Sequence, residues 1–202
     1  MQKLTRLAIA LAGVAISGAA VAADAKLLQS CTDCHGTNGV TQAQEIPSIA
    51  GISSTVLEGA LAGFKAKKLP CAKVSYQQGD TKRPQTDMCT VTASLSDAQI
   101  KELADHFSKQ PFKPMKQPFD AAKAEAGKKI HARDCENCHT KSGRDAGDDS
   151  SLLAGQPVGY LKAALNDFKA GKRTAEKKMT EKVSKLSPAD LEALAHYYGS
   201  LQ

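Results

Sequence analysis

Apolar residues recur at helical spacing twice in this chain, and the two occurrences are copies. Leu57, Ala60, Leu61 and Phe64 correspond to Leu161, Ala164, Leu165 and Phe168 at an offset of 104 residues. Lys65 and Lys68 correspond to Lys169 and Lys172 at the same offset. The spacing predicts one amphipathic helix in each copy. Further on the offset falls to 91, where Leu95, Ser96 and Ile100 correspond to Leu186, Ser187 and Leu191. Ser96 and Ser187 suit helix N-caps, and Pro188 suits a first turn, where its missing N–H costs nothing. Ile100, Leu103, Ala104 and Phe107 match Leu191, Leu194, Ala195 and Tyr198, which predicts closing helices with one buried face. The change from 104 to 91 leaves 13 extra residues in the first copy, between its middle and closing helices.

Pro111, Pro114 and Pro118 fall between the copies, and residues 110–120 are expected to form a semi-rigid linker. A further helix is expected from residue 121 to 133, leading to the second half's first functional motif. No strand pattern stands out, so the class is all-α. The expected division is an N-terminal domain over 24–109, the linker over 110–120 and a C-terminal domain over 121–202.

Residues 1–23 have the pattern of an export signal. Lys3 and Arg6 precede an apolar run over 7–16, and Ala20, Val21, Ala22 and Ala23 supply small residues for cleavage. The run is too short to span a bilayer. The mature chain is therefore expected to be periplasmic, without a membrane span.

The formal charge of +6 changes this picture little. Removing Lys3 and Arg6 from the 27 basic residues leaves 25 against 21 acidic ones, or +4. No dense basic run with interleaved aromatics points to nucleic acid. Aromatic content matters more. At 4 %, with no Trp, it leaves two small domains with thin cores, which a buried cofactor would help to fill.

The candidate chemistry lies in Cys31-Thr-Asp-Cys34-His35 and its copy Cys135-Glu-Asn-Cys138-His139. In Cys-x-x-Cys-His two thiols add to the vinyl groups of a haem, and the next residue, His, binds the iron. Its other ring nitrogen is expected to donate to a backbone carbonyl. A thioredoxin-like pair would need a βαβ context, and paired cysteines of a zinc site would lie about 15–20 residues apart rather than in separate halves. Each half is thus expected to hold one covalent haem c. Met88 and Met179 each lie seven residues before the closing-helix leucine, Leu95 or Leu186, and are the expected sixth iron ligands. His106, His131 and His196 are not equivalent by the repeat and are expected to be partly exposed helix residues. Cys71 and Cys89 flank the extra segment. They are expected to pair as a disulfide that pins the Met88 loop, with Cys89 as an iron ligand the competing reading.

Residues 107–120 (FSKQPFKPMKQPFD) and 127–139 (GKKIHARDCENCH) resemble the cytochrome subunit of flavocytochrome c sulfide dehydrogenase. So do Leu153-Ala-Gly-Gln, Tyr160-Leu, Asp167-Phe168 and Glu176-Lys-Lys-Met179. The resemblance implies two tandem class I cytochrome c domains, each wrapped round one covalent haem. It implies attachment at Cys31, Cys34, Cys135 and Cys138, and iron ligands His35, Met88, His139 and Met179. It also implies a partner flavoprotein subunit carrying FAD, where sulfide is oxidised. The cytochrome would then be a non-catalytic electron-transfer subunit, passing electrons to a soluble acceptor such as a small cytochrome c. The segment from Cys71 to Cys89 is longer than that family leads one to expect. A freestanding dihaem carrier between respiratory complexes is the alternative. A haem enzyme acting on a sulfur compound is a third reading, and it needs an open iron position.

Overall fold

The computed structural model describes residues 24–145, 150–174 and 176–202. The export signal expected over 1–23 lies outside them. The first half contains α1 (Ala25–His35), α2 (Ser54–Lys65), α3 (Met88–Thr92) and α4 (Asp97–Ser108). The second contains α5 (Ala121–Asp134), a kinked turn α6 (Thr140–Gly143), α7 (Val158–Lys169), α8 (Lys177–Ser184) and α9 (Pro188–Ser200). Both offsets reappear in the elements. Helix α7 begins and ends 104 residues after α2, and α9 begins 91 after α4. Among the described residues the nearest thing to a strand is one antiparallel bridge between Val74 and Thr86, and no helix is long and apolar enough to cross a membrane.

The predicted caps form. The Ser96 hydroxyl accepts from the Gln99 amide while the Gln99 side chain accepts from the Ser96 amide, and Ser187 does the same with Asp190. The apolar faces then build two cores. Ile52, Leu57, Leu95, Leu103 and Phe107 form the first, and Ile130, Leu161, Leu186, Leu191, Leu194 and Tyr198 form much of the second. Helices α5 and α9 cross closely at Gly127, where a Cβ atom would lie 2.2 Å from the Ala193 carbonyl oxygen. Only glycine fits there.

Backbone bonds in the loops repeat as well. The Gly39 carbonyl accepts from the amides of Ile49 and Ala50, and the Gly143 carbonyl from those of Leu153 and Ala154. Gly51 donates to Phe107, and Gly155 to Tyr198.

Residues 111–120 form neither helix nor strand, and they do not hold the halves apart. The Met115 amide donates to the Gly155 carbonyl (2.8 Å), and the Gln117 side chain bonds Gln156 and Val158. The halves also touch directly. The Tyr160 amide donates to the Gln44 carbonyl, and Leu152 joins the apolar core of the first half.

Helix α1 runs through its Cys-x-x-Cys-His motif, whereas α5, close to the expected span of 121–133, stops at Asp134, before Cys135. The amides of both Cys135 and Glu136 donate to the His131 carbonyl (2.8 and 3.0 Å), and this doubled bond ends the α-helical ladder.

Candidate haem sites

In the first half, the last turn of α1 carries all three motif residues. Cys31 and Cys34 are three apart and so share a helix face. His35 is 7 % exposed, and its Nδ1 lies 2.8 Å from the Pro47 carbonyl oxygen. A carbonyl can only accept, so Nδ1 carries the proton and Nε2 is left as the donor to a metal. Burial holds the His35 pKa below the usual histidine value, opposed by the bond to Pro47, and so favours the neutral ring that binds iron.

The thiols are not poised for redox exchange. Burial pushes the Cys31 pKa up to about 11 and raises that of Cys34 as well. Reactive dithiols have lowered values instead. The four motif cysteines are unbridged, whereas Cys71 and Cys89 are joined as a disulfide with Cα atoms 5.7 Å apart. The alternative of Cys89 as an iron ligand is therefore overturned, because its sulfur is bonded to Cys71.

The disulfide closes a hairpin-like segment that grips the motif turn. Val74 and Thr86 exchange backbone bonds of 2.8 and 3.0 Å. At the far end Arg83 lies 2.5 Å from the Asp33 carboxylate, inside the motif, and stacks 3.6 Å over the Tyr76 ring. The amides of Gln77 and Gln78 donate to the Asp33 carbonyl, while Val74 and Tyr76 pack on Cys34, Ala43 and Ile46. Met88 is the first residue of α3 and is half-buried. Asp87 caps that helix through the Thr90 amide (2.8 Å) and pairs with Lys73 (3.2 Å). The Thr90 amide is the main cause of its lowered carboxylate pKa. One segment thus touches the motif turn and also carries the methionine. Sequence spacing indicated the disulfide, but nothing in it marked the contact between Arg83 and Asp33.

In the second half Cys135 caps α5, and His139 precedes the turn α6. Burial raises the Cys135 pKa, and Cys138 is exposed. His131 corrects an expectation. It is only 2 % exposed, with Nδ1 2.8 Å from the Tyr198 hydroxyl and Nε2 bonded to the Glu136 carboxylate. It is buried because Glu136, inside the motif, and Tyr198, on α9, both supply partners to a ring that would otherwise be costly to dehydrate. The bond to His131 lowers the Glu136 pKa, and burial raises that of Tyr198 well above the usual range. His106 and His196 are partly exposed, as expected. Met179 lies early in α8, packs against the second core, and corresponds to Met88 by the 91-residue offset. Lys182 of α8 pairs with Asp134 of α5 (3.2 Å).

Each half therefore offers two unbridged cysteines, a following histidine and a half-buried methionine at one repeated position. This donor set suits a covalent haem, which would supply one-electron chemistry, while the protein would hold it and limit the access of water.

The Cytochrome c family profile matches residues 17–110 and 124–202. A cytochrome c4 from Stutzerimonas stutzeri is 30 % identical over 185 residues, covering 85 % of this chain and 84 % of that protein. A thiosulfate dehydrogenase electron acceptor from Thiomonas intermedia (strain K12) is 29 % identical over 158 residues, covering 73 % of this chain and 66 % of that protein. Among solved structures, reduced recombinant cytochrome c4 from Pseudomonas stutzeri superposes with a TM-score of 0.69 at 28 % identity, covering 90 % of this chain and 100 % of that one.

Proposed function

The chain belongs to the cytochrome c family, and on that footing we propose that it is a periplasmic electron carrier fed by an enzyme that oxidises a reduced sulfur compound. Haem c is bound at Cys31 and Cys34 with His35 and Met88 on iron, and at Cys135 and Cys138 with His139 and Met179. The repeated turn of two unbridged cysteines and a histidine carries this reading. With a methionine on each iron no substrate reaches the metal, so each site passes electrons rather than transforming a molecule.

For the donor, we favour an FAD-containing sulfide dehydrogenase subunit, with a small soluble cytochrome c as acceptor. The linker and the Glu176-Lys-Lys-Met179 stretch support it, and a relative described as a thiosulfate dehydrogenase electron acceptor fits the same sulfur chemistry. A freestanding shuttle is the second reading. It is favoured by the cytochrome c4 of Pseudomonas aeruginosa, which at 29 % identity covers 96 % of this chain.

The test is purification from a periplasmic extract with whatever accompanies the chain. Two haems per chain, a Met–iron charge-transfer band and a yellow flavoprotein that reduces the haems on adding sulfide are expected. Loss of the methionine band in Met88→Ala and Met179→Ala would assign the ligands. A dihaem chain that is reduced by thiosulfate dehydrogenase but not by a flavoprotein overturns the FAD partner. A high-spin spectrum in the native protein overturns the ligand scheme.

A further inference from the structure

The bond that orients His35 does not end at Pro47. The Pro47 carbonyl and the Ser48 amide belong to one peptide unit. The Ser48 amide donates to Oε1 of Gln156 (2.9 Å), and Nε2 of Gln156 donates back to the Ser48 carbonyl (2.8 Å). A backbone N–H can only donate, which fixes the orientation of the side-chain amide. Gln156 is 1 % exposed and Ser48 is fully buried. The Gln156 carbonyl accepts from Gln117 Nε2 (2.9 Å), and the Ser48 hydroxyl accepts from the Thr41 amide (3.1 Å). A continuous chain thus runs from the His35 ring, through one peptide unit, to a side chain of the other half.

We propose that Gln156 is a positioning residue for the N-terminal haem, setting the donor strength of His35 from across the domain boundary. The inference rests on the assignment of His35 as an iron ligand. Hydrogen bonds in series polarise one another. An acceptor on the Ser48 N–H makes the Pro47 oxygen more negative, which draws the Nδ1 proton and makes the imidazole a stronger donor. A stronger donor stabilises ferric iron.

The repeat makes this coupling one-sided. By the 104-residue offset, Ser48 corresponds to Leu152 and Gln156 to Ile52. Leu152 and Ile52 lie in the same buried apolar cluster. The interface therefore has a polar arm that reaches His35 and, at the equivalent place, an apolar arm that offers no acceptor to the C-terminal haem.

The experiment is a redox titration of the haem-loaded full chain and of Gln156→Met, which keeps the volume while removing the amide. The expected result is a shift of the N-terminal haem toward the reduced form by at least threefold in its equilibrium constant, about 30 mV at ~59 mV per decade. The C-terminal haem should stay put. Water entering a loosened interface would shift the first haem the other way, toward the oxidised form, so the sign separates tuning from simple damage. In the reduced protein the His35 Nδ1 proton resonance should move upfield. In the unaltered protein a through-bond coupling should join the Ser48 amide nitrogen to the Gln156 side-chain carbonyl, and this needs no variant to fold. Equal shifts of both haems, an unmoved His35 proton or a missing coupling overturns the proposal. Native protein with no haem at Cys31 and Cys34 overturns the ligand assignment and the proposal with it, whereas loaded protein with unchanged potentials overturns the proposal alone.

Discussion

Where the first and closing helices meet, the two halves solve one packing problem differently. In the N-terminal half Leu27 lies on the apolar cluster that contains Phe107. The corresponding pair in the C-terminal half is His131 and Tyr198, bonded to each other and, through His131, to Glu136. The backbone frame is shared, down to the bond from Gly51 to Phe107 and its copy from Gly155 to Tyr198. The support of each motif therefore differs on a shared frame. The second half buttresses its motif from within, with a polar triad. The first half uses a disulfide-closed strap, with Arg83 and two backbone amides holding Asp33. The strap covers Cys34, whereas Cys138 stays exposed.

The largest test of this contrast removes the strap's clasp. Replacing both Cys71 and Cys89 with Ala should destabilise the first half by about 3 kcal/mol, the loop-closure value for a span of this size. A denaturation curve should split into two transitions, with the C-terminal one unmoved. A single cooperative transition shifted as a whole would show instead that the halves stand or fall together.

Next comes the triad. His131→Leu leaves the buried Tyr198 hydroxyl only the Cys135 sulfur as a partner, and Tyr198→Phe removes the partner of His131 Nδ1. Each should cost about 1–3 kcal/mol. The double variant copies the first half's chemistry and should recover most of that loss, so a double-mutant cycle by urea denaturation should give a coupling of about 1 kcal/mol or more. Additive losses would mean that the bond between them contributes little.

A smaller effect is expected after α2 and α7. Lys67 has φ of +56°, at the place where the second half has Gly171 with φ of +67°. Lys67→Gly should stabilise the first half by roughly 0.5–1 kcal/mol, since it relieves a left-handed lysine. Thermal melting checks it, and a lowered midpoint would contradict the backbone argument.

Smallest is an ion pair whose charges are swapped between the halves. Glu58 and Lys101 in the first half (3.8 Å) become Lys162 and Glu192 in the second (2.9 Å). Lys123 joins Glu192 as well, and the two lysines hold its pKa at about 2. A depressed carboxylate stabilises the fold above its ordinary value of 4.5 and loses that contribution as pH falls toward 2. Melting temperatures should therefore fall less between pH 4.5 and 2 in Glu192→Gln than in the native chain. An equal fall in both would remove the pair from the account.

Much of the fold could be read from periodicity and offset. Helices α2, α4, α7 and α9, the caps at Ser96 and Ser187, and the Cys71–Cys89 bond all rest on local periodicity or on the repeat offsets of 104 and 91. The unread part consists of contacts between residues far apart in the chain. Ser48 and Gln156 are 108 positions apart, and their bond leaves no periodic trace. The helix position of His131 predicts partial exposure and says nothing of Tyr198, 67 residues away. The motif residues were legible because covalent haem attachment needs them adjacent, whereas their supports need only be adjacent in space.

The strap has a further consequence for how the chain matures. On the export route proposed above, six thiols would arrive together, and six cysteines allow 15 complete pairings. Cys71 and Cys89 lie in sequence between the two motifs, so premature oxidation can join either of them to a motif cysteine. Under the proposed attachment at both motifs, each haem would convert two thiols to thioethers and withdraw them from exchange. One pairing would then be left. The order of events, cofactor first and disulfide last, would then select the correct bond without an isomerase.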